Sequence, residues 1–216
     1  MVTIQDESIS YNGRVVLRDV SLTIRPKERV ALVGRSGAGK STLLKLLYQR
    51  QISGAALVPQ DAALVKTLTV YHNVYMGRLD RHGTFYNLLN LAWPQHREVE
   101  AVKDVLIKFR LDDKIFTPAG ELSGGQQQRT AVARAIYQGG DMLLGDEPVS
   151  AVDEHQGRAV LEAINESYDT VILAMHDVKL ALAYTDRVIG LKDGEILFDM
   201  PTAGLKTSDI DHVYTG

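Results

Sequence analysis

Short apolar runs bounded by turn residues alternate along this chain with stretches whose apolar residues recur at helical spacing. Val20 to Ile24 alternates polar and apolar positions as a half-buried strand does, and Pro26-Lys27-Glu28 supplies a turn after it. Val30-Ala31-Leu32-Val33 is apolar throughout, which predicts a parallel strand buried on both faces. Thr42 to Tyr48 then reads as a helix. Met142-Leu143-Leu144-Gly145 and Val171-Ile172-Leu173-Ala174-Met175 predict two more buried strands, followed by Asp146 and His176 at the edge where ligands sit in open α/β sheets. From Tyr86 to Leu111, with Trp93-Pro94 inside, the spacing of Val99, Val102, Val105, Leu106 and Phe109 predicts much of an inserted helical subdomain. Asp193-Gly194 between two apolar runs predicts a hairpin near the end. No internal repeat or low-complexity tract is present.

The segment joining the apolar run at Val30 to the helix at Thr42 carries the first chemistry. Gly34-Arg35-Ser36-Gly37-Ala38-Gly39-Lys40-Ser41-Thr42 has the form G-x-x-x-x-G-K-S, a loop whose backbone N–H groups wrap a nucleotide's phosphates. Lys40 is expected between the β and γ phosphates, and Ser41 is expected to give its hydroxyl to Mg²⁺. Taken alone, the stretch is also a glycine-rich turn before a helix; the order strand, loop, helix favours the phosphate loop. Asp146-Glu147 follows an apolar strand. Asp146 suits the outer sphere of Mg²⁺, and Glu147 suits the base that polarises an attacking water. His176 is placed to contact the γ-phosphate and to hold Glu147 and the water in line. Tyr11, ahead of the first core strand, can stack on adenine, though one tyrosine in a polar loop is as readily a plain surface residue.

Leu122-Ser123-Gly124-Gly125-Gln126 opens a second helix with small residues, which makes another phosphate-facing N-terminus. One chain has little use for two such ends on one triphosphate. Two copies of the chain do.

A chain of 216 residues, 45% of them hydrophobic, can bury a substantial core. The net charge of -3 gives no basic stripe of the kind nucleic acids require, so DNA or RNA is not expected as a partner. With no cysteine, disulfides, thiolate zinc sites and cysteine nucleophiles are excluded. The first residues lack the pattern of a signal peptide, and no apolar run approaches the roughly 18 residues that span a bilayer.

The phosphate loop, Gln60, the pentapeptide at Leu122, Asp146-Glu147, Ser150-Ala151-Val152-Asp153 and His176, in this order, resemble the ATP-binding subunits of ABC transporters over nearly the whole chain. The pentapeptide is the specific element, since other phosphate-loop families lack it. The resemblance implies an α/β fold: a P-loop NTPase core of ABC ATPase type, a helical subdomain and a reduced antiparallel β subdomain. It implies one domain over 1–216, with a RecA-like core at about 1–60 and 128–216 and the helical subdomain at about 61–127. Tyr11 would be the adenine-stacking ring, Gln60 the sensor of Mg²⁺ and water, and Asp153 a link between subunits. Ser123, Gly124 and Gly125 would cap the γ-phosphate held by the opposite subunit, with Gln126 beside them among the nucleotide-binding residues.

The resemblance further implies an ATP- and Mg²⁺-dependent hydrolase that closes head to tail as a homodimer, or with a paired ABC subunit, around two ATP molecules. Its partners would be an integral membrane permease, docked on the groove around Gln60 and the helical subdomain, and a solute-binding protein. The chain would then be cytoplasmic, held on the inner face of the membrane by the permease. Leu68 to Leu79, Asp146 to Ser150 and Arg187 to Ile196 look most like the ATPase of phosphonate importers. The stretch from Ser41 to Gln60 is much shorter than in relatives, which removes most of an antiparallel hairpin. Alternative readings are an exporter ATPase for lipoprotein release or efflux, a soluble ABC ATPase acting on DNA or ribosomes, a phosphate-loop kinase, and a paralogue that binds ATP without driving transport.

Overall fold

A computed structural model of the chain describes residues 1–50, 54–210 and 213–214. The strands are β1 (Val2–Tyr11), β2 (Arg14–Ile24), β3 (Arg29–Val33), β4 (Ala55–Val58), β5 (Met142–Asp146), β6 (Thr170–Ala174), β7 (Arg187–Lys192) and β8 (Glu195–Pro201). The helices are α1 (Lys40–Arg50), α2 (Val70–Tyr75), α3 (Thr84–Ala92), α4 (His96–Ile107), α5 (Gly124–Gln138), α6 (Glu154–Ser167), α7 (Val178–Tyr184) and α8 (Thr207–Ile210). They fall into two compact units, one of Met1–Leu57, Gly140–Glu147 and Tyr168–Gly216, the other of Val58–Gly139 and Pro148–Ser167.

The first unit is built on a sheet of order β4-β5-β6-β3-β7-β8. The all-apolar run of β3 lies between β6 and β7, parallel to both, with Val30 beside Ile172 and Arg187. That interior position is why the run is apolar on both faces. β5 runs parallel to β6, and β8 turns back antiparallel on β7 through Asp193-Gly194, where both residues have positive φ as a two-residue hairpin turn requires. Leu43, Leu44 and Leu47 of α1 join Leu32, Leu144, Ile172 and Ile189 in the buried cluster, each fully buried leucine contributing about 1.5–3 kcal/mol.

β1 and β2 form a separate two-stranded antiparallel sheet, which sequence periodicity showed only at its C-terminal end, Val20 to Ile24. Its register slips where Asp6 and Asp19 take positive φ. The freed N–H groups are met locally: Asp6 N–H donates to Ser21 Oγ and Asp19 N–H to Ser8 Oγ, both at 2.9 Å. Such bulges break the polar-apolar alternation, which hid the strands. Only residues 51–54 separate α1 from β4, so among the described residues no further strand there enlarges this small sheet; residues 51–53 of the shortened stretch lie outside the description.

The second unit is helical. The predicted periodic stretch from Tyr86 onward becomes two helices, because Pro94 lacks a donor and Trp93 before it leaves the helical region at φ -135°, ψ 89°. Asn90 closes the break by accepting the Gln95 N–H at 2.8 Å. Glu98 of α4 is buried and accepts from the hydroxyls of Tyr137 at 3.0 Å and Tyr86 at 3.2 Å, so its charge is shared rather than stranded. Thr69 caps α2, and the buried amide of Asn73 ties the chain back to Val65 through both its oxygen and its nitrogen.

Candidate functional site

The loop Gly34–Gly39 leaves the C-terminal end of β3 and runs into α1. Gly34 is required there: its φ is +149°, and a Cβ would lie 2.3 Å from the carbonyl oxygen of Leu191, which the sheet holds in place. Arg35, Ser36 and Gly37 are exposed, while Ala38, Gly39 and Lys40 are buried. Lys40 folds back over the loop and donates from Nζ to the carbonyls of Gly34 at 2.8 Å and Arg35 at 3.1 Å. Burial pulls its pKa down, and the carboxylates of Glu147 and Asp146 act in the opposite direction. Ser41 and Thr42 follow in the first turn of α1, where N–H groups have no partner within the helix.

Glu147 stands just past β5 in a left-handed backbone conformation, φ +54°, that costs a residue with a side chain about 1–2 kcal/mol. Its N–H donates to Ala174 O at 3.0 Å, and Oε1 lies 2.5 Å from Nε2 of His176. The carboxylate is well shielded and the imidazole half-exposed. The turn therefore aims Glu147 at His176 rather than along the strand. Met175 N–H donates to Leu32 O at 3.0 Å, which brings the His176 segment alongside the end of β3.

Asp146 Oδ1 is buried and accepts no hydrogen bond. A carboxylate oxygen in that condition fits a cation. Among the described residues no group of three or more His, Asp or Glu forms a metal cage. Ser41 hydroxyl as a ligand, with the Asp146 carboxylate behind the shell's waters, matches Mg²⁺, which takes one or two protein oxygens and completes its shell with phosphate and water. Tyr11 ends β1 opposite Arg14, with its ring half-exposed.

The second unit carries the remaining predicted residues. Ser123 caps α5 in a reciprocal box: Ser123 Oγ accepts from Gln126 N–H at 3.3 Å, and Ser123 N–H donates to Gln126 Oε1 at 2.9 Å. Gln126 is thus occupied in the cap. A Cβ on Gly125 would lie 2.7 Å from Ala151 O, so the pentapeptide packs main chain against the 150–153 segment. Gln128, which sequence reasoning missed, locks the two together, donating to Ser150 Oγ at 3.1 Å and accepting from Ala151 N–H at 2.9 Å. Asp153 caps α6 by accepting the Gln156 N–H at 2.9 Å, a bond that holds its carboxyl below the usual range.

Gln60 is exposed in the loop after β4. Ala62 and Ala63, two residues on, both take positive φ without being glycine. Arg134 of α5 holds them, donating from Nη2 to Ala62 O at 3.0 Å and from Nη1 to Ala63 O at 2.8 Å. No local signal marks this residue, since its partners are some seventy positions away. Arg134→Ala is expected to lower stability by about 2–4 kcal/mol in urea unfolding, with Arg134→Lys recovering only part because an ammonium cannot fork across two carbonyls.

An apolar groove of about 310 Å³ also lies in this unit, lined by Leu68, His72, Met76, Leu79, Leu88 and Leu91 among others. Phe85 and Trp93, at either end of α3, are 82% and 70% exposed, so α3 presents apolar side chains to solvent.

A family profile described as ABC transporter matches residues 17–150. The chain is 38% identical to the phosphonates import ATP-binding protein PhnC 1 of Pseudomonas syringae pv. tomato, covering 94% of this chain and 87% of that one. It is 35% identical to PhnC 3 of Halalkalibacterium halodurans, over 99% and 94%. The latter alignment runs over 244 positions, more than the 216 residues of this chain, so the relative carries insertions with respect to it. Among solved structures, the dimeric structure of MJ0796, a bacterial ABC transporter cassette, superposes with TM-score 0.78 at 23% identity, over 95% of this chain and all of that one. The post-hydrolysis dimer of the same cassette bound to ADP and Pi gives 0.76 at 24% identity and 95% coverage. The α/β core with a small antiparallel sheet is the fold of these cassettes.

Proposed function

Because the chain belongs to the ATP-binding subunits of ABC transporters and is an ATP hydrolase of that type, we propose that it powers import of a phosphonate or related oxyanion through a separate permease. ATP lies on the phosphate loop, with Tyr11 against adenine and Lys40 on the β and γ phosphates. Ser41 would hold Mg²⁺ directly and Asp146 through its outer sphere, with Gln60 sensing the ion and the water. The ion supplies charge neutralisation on the phosphates. Glu147 takes the proton of the attacking water, and His176 orients Glu147 and contacts the γ-phosphate.

The catalytic unit needs a second copy of the chain. Ser123, Gly124 and Gly125 of one subunit face the γ-phosphate bound by the other, and Gln128 fixes that segment to Ser150 and Ala151, just ahead of Asp153, which faces the partner. Closure of two chains around two ATP molecules is then the step that does work on the permease.

The observation that carries the transport reading is the apolar groove beside the exposed face of α3. A short helix from a permease lays apolar side chains into such a groove. The cargo class rests on the likeness to PhnC proteins. Through the permease the chain is held at the membrane; among its described residues no helix is long and apolar enough to cross one.

The test is uptake of labelled methylphosphonate by cells whose own copy of this gene is replaced by Leu88→Asp. Placing a charge in the groove is expected to reduce uptake by about tenfold or more. ATP affinity of the purified variant, measured alongside, reports that the fold is intact. Wild-type cells that take up no more methylphosphonate than a deletion strain would rule out this cargo.

A further inference from the structure

Between the end of α4, the first turns of α5 and the start of α6 lies a cavity of about 90 Å³, walled by Lys108, Arg110, Arg129 and His155 over Phe109 and Val160. Arg129 is set in place by main chain: Nη1 donates to Phe109 O at 2.9 Å and Nε to Gly125 O at 3.3 Å. Its charge is therefore oriented but not neutralised by a bonded carboxylate. Arg110 stands at φ +54°, and among the described residues its side chain makes no hydrogen bond or ion pair. The two guanidinium groups repel each other.

Among the described residues, the acids Glu166 and Asp153 interact with these side chains. Glu166 sits 3.7 Å from the Lys108 amine in an exposed pair, which is worth little in water. Asp153 attracts Arg129, but its oxygens are already engaged by the N–H and side-chain amide of Gln156, at 2.9 and 2.5 Å. The cavity therefore gathers more positive charge than its own acids balance. Its volume is about three times a water's share of the liquid, well below that of nucleotide or drug-sized pockets.

We propose that this cavity binds a small tetrahedral oxyanion of the phosphate or phosphonate class, clasped by Arg110, Arg129 and Lys108 with His155 as a further donor. Planar guanidinium groups match paired oxyanion oxygens, which is the geometry that two converging arginines supply. An ion held there joins α5, through the arginine bonded to Gly125 O, to α6 at the turn capped by Asp153. It would thus bear on the two segments given to the partner-facing surface. The binding step itself stands apart from the proposed function; only the choice of phosphonate as a probe rests on it.

The test is nuclear magnetic resonance of the full chain, observing backbone amides and arginine Nε–Hε groups during titration at constant ionic strength with inorganic phosphate and, separately, methylphosphonate. The Lys40→Ala background weakens competing occupancy of the phosphate loop. Saturable shifts are expected at Arg110, Arg129 and His155. Arg110→Asn, chosen because asparagine tolerates the left-handed backbone, is expected to weaken binding about tenfold or more. Tighter phosphonate would identify cargo as the ligand and tighter phosphate the hydrolysis product, and both support the site. Shifts confined to residues 34–42, equal shifts with chloride, or a response unchanged by Arg110→Asn would overturn it. Cells that fail to import methylphosphonate while these shifts persist would sink the transport reading and leave the cavity's role standing.

Discussion

Glu147→Gln is expected to lower ATP turnover by about 10²–10⁴-fold, the usual contribution of a positioned general base. The substitution keeps the shape of the side chain and the left-handed turn that aims it at His176, so the loss isolates proton transfer from architecture. Binding should survive, because the phosphate contacts come from the loop and Lys40. Removing a negative charge from the neighbourhood of the triphosphate, if anything, tightens the complex. ATP that binds without being hydrolysed holds the proposed two-chain closure in place. Light scattering of this variant is therefore expected to read a monomer without nucleotide and a dimer with MgATP. Single-turnover hydrolysis supplies the rate. Wild-type turnover in the variant would remove Glu147 from its role as base, whereas a monomer at saturating MgATP would remove the shared interface and leave the base assignment untouched.

Lys40→Ala is expected to weaken ATP binding by about one to two orders of magnitude, as well as to abolish measurable turnover. A hydrogen bond to a charged group is worth about 1.5–3 kcal/mol, and about 1.4 kcal/mol corresponds to tenfold in affinity. The lysine is suited to a ground-state role because its charge is partly desolvated and lies in the field of Glu147 and Asp146. Its Nζ is bonded to the carbonyls of Gly34 and Arg35, so it is tethered beside the phosphate-binding amides instead of extending into water. Binding of a fluorescent ATP analogue to the two proteins measures the ratio directly. Equal affinities with lost turnover would move the lysine's contribution wholly into the transition state.

These two substitutions act on residues that the sequence made visible for different reasons. Lys40 belongs to a continuous motif in which glycines fix the backbone and the lysine follows at a set distance, so local chemistry identifies it. Glu147 was visible as a carboxylate after an apolar strand with His176 expected to hold it, but neither its left-handed turn nor the 2.5 Å geometry of that contact could be read there. That contact joins positions 29 residues apart, and it exists because β5 and β6 pair in parallel with Asp146 beside Ala174. The buried, unbonded oxygen of Asp146 likewise follows from the packing around the strand end.

The sequence by itself determined the apolar strands β3, β5 and β6, the phosphate loop, the Asp193-Gly194 hairpin, the helix opened by Ser123 and the family that these elements together mark. Each depends on the periodicity of neighbouring residues or on the φ angles a few of them allow, which is information a short window contains. The tertiary structure decided which strand lies beside which, how Arg134 restrains the two alanines beyond Gln60, how Gln128 joins α5 to Ser150 and Ala151, and where Lys108, Arg110, Arg129 and His155 converge. It also assembled β1 and β2, whose bulges erase the alternation that would have announced them. Such contacts depend on chain ends brought together from far apart, and their energies are set by burial and partner geometry that arise only when the chain has folded.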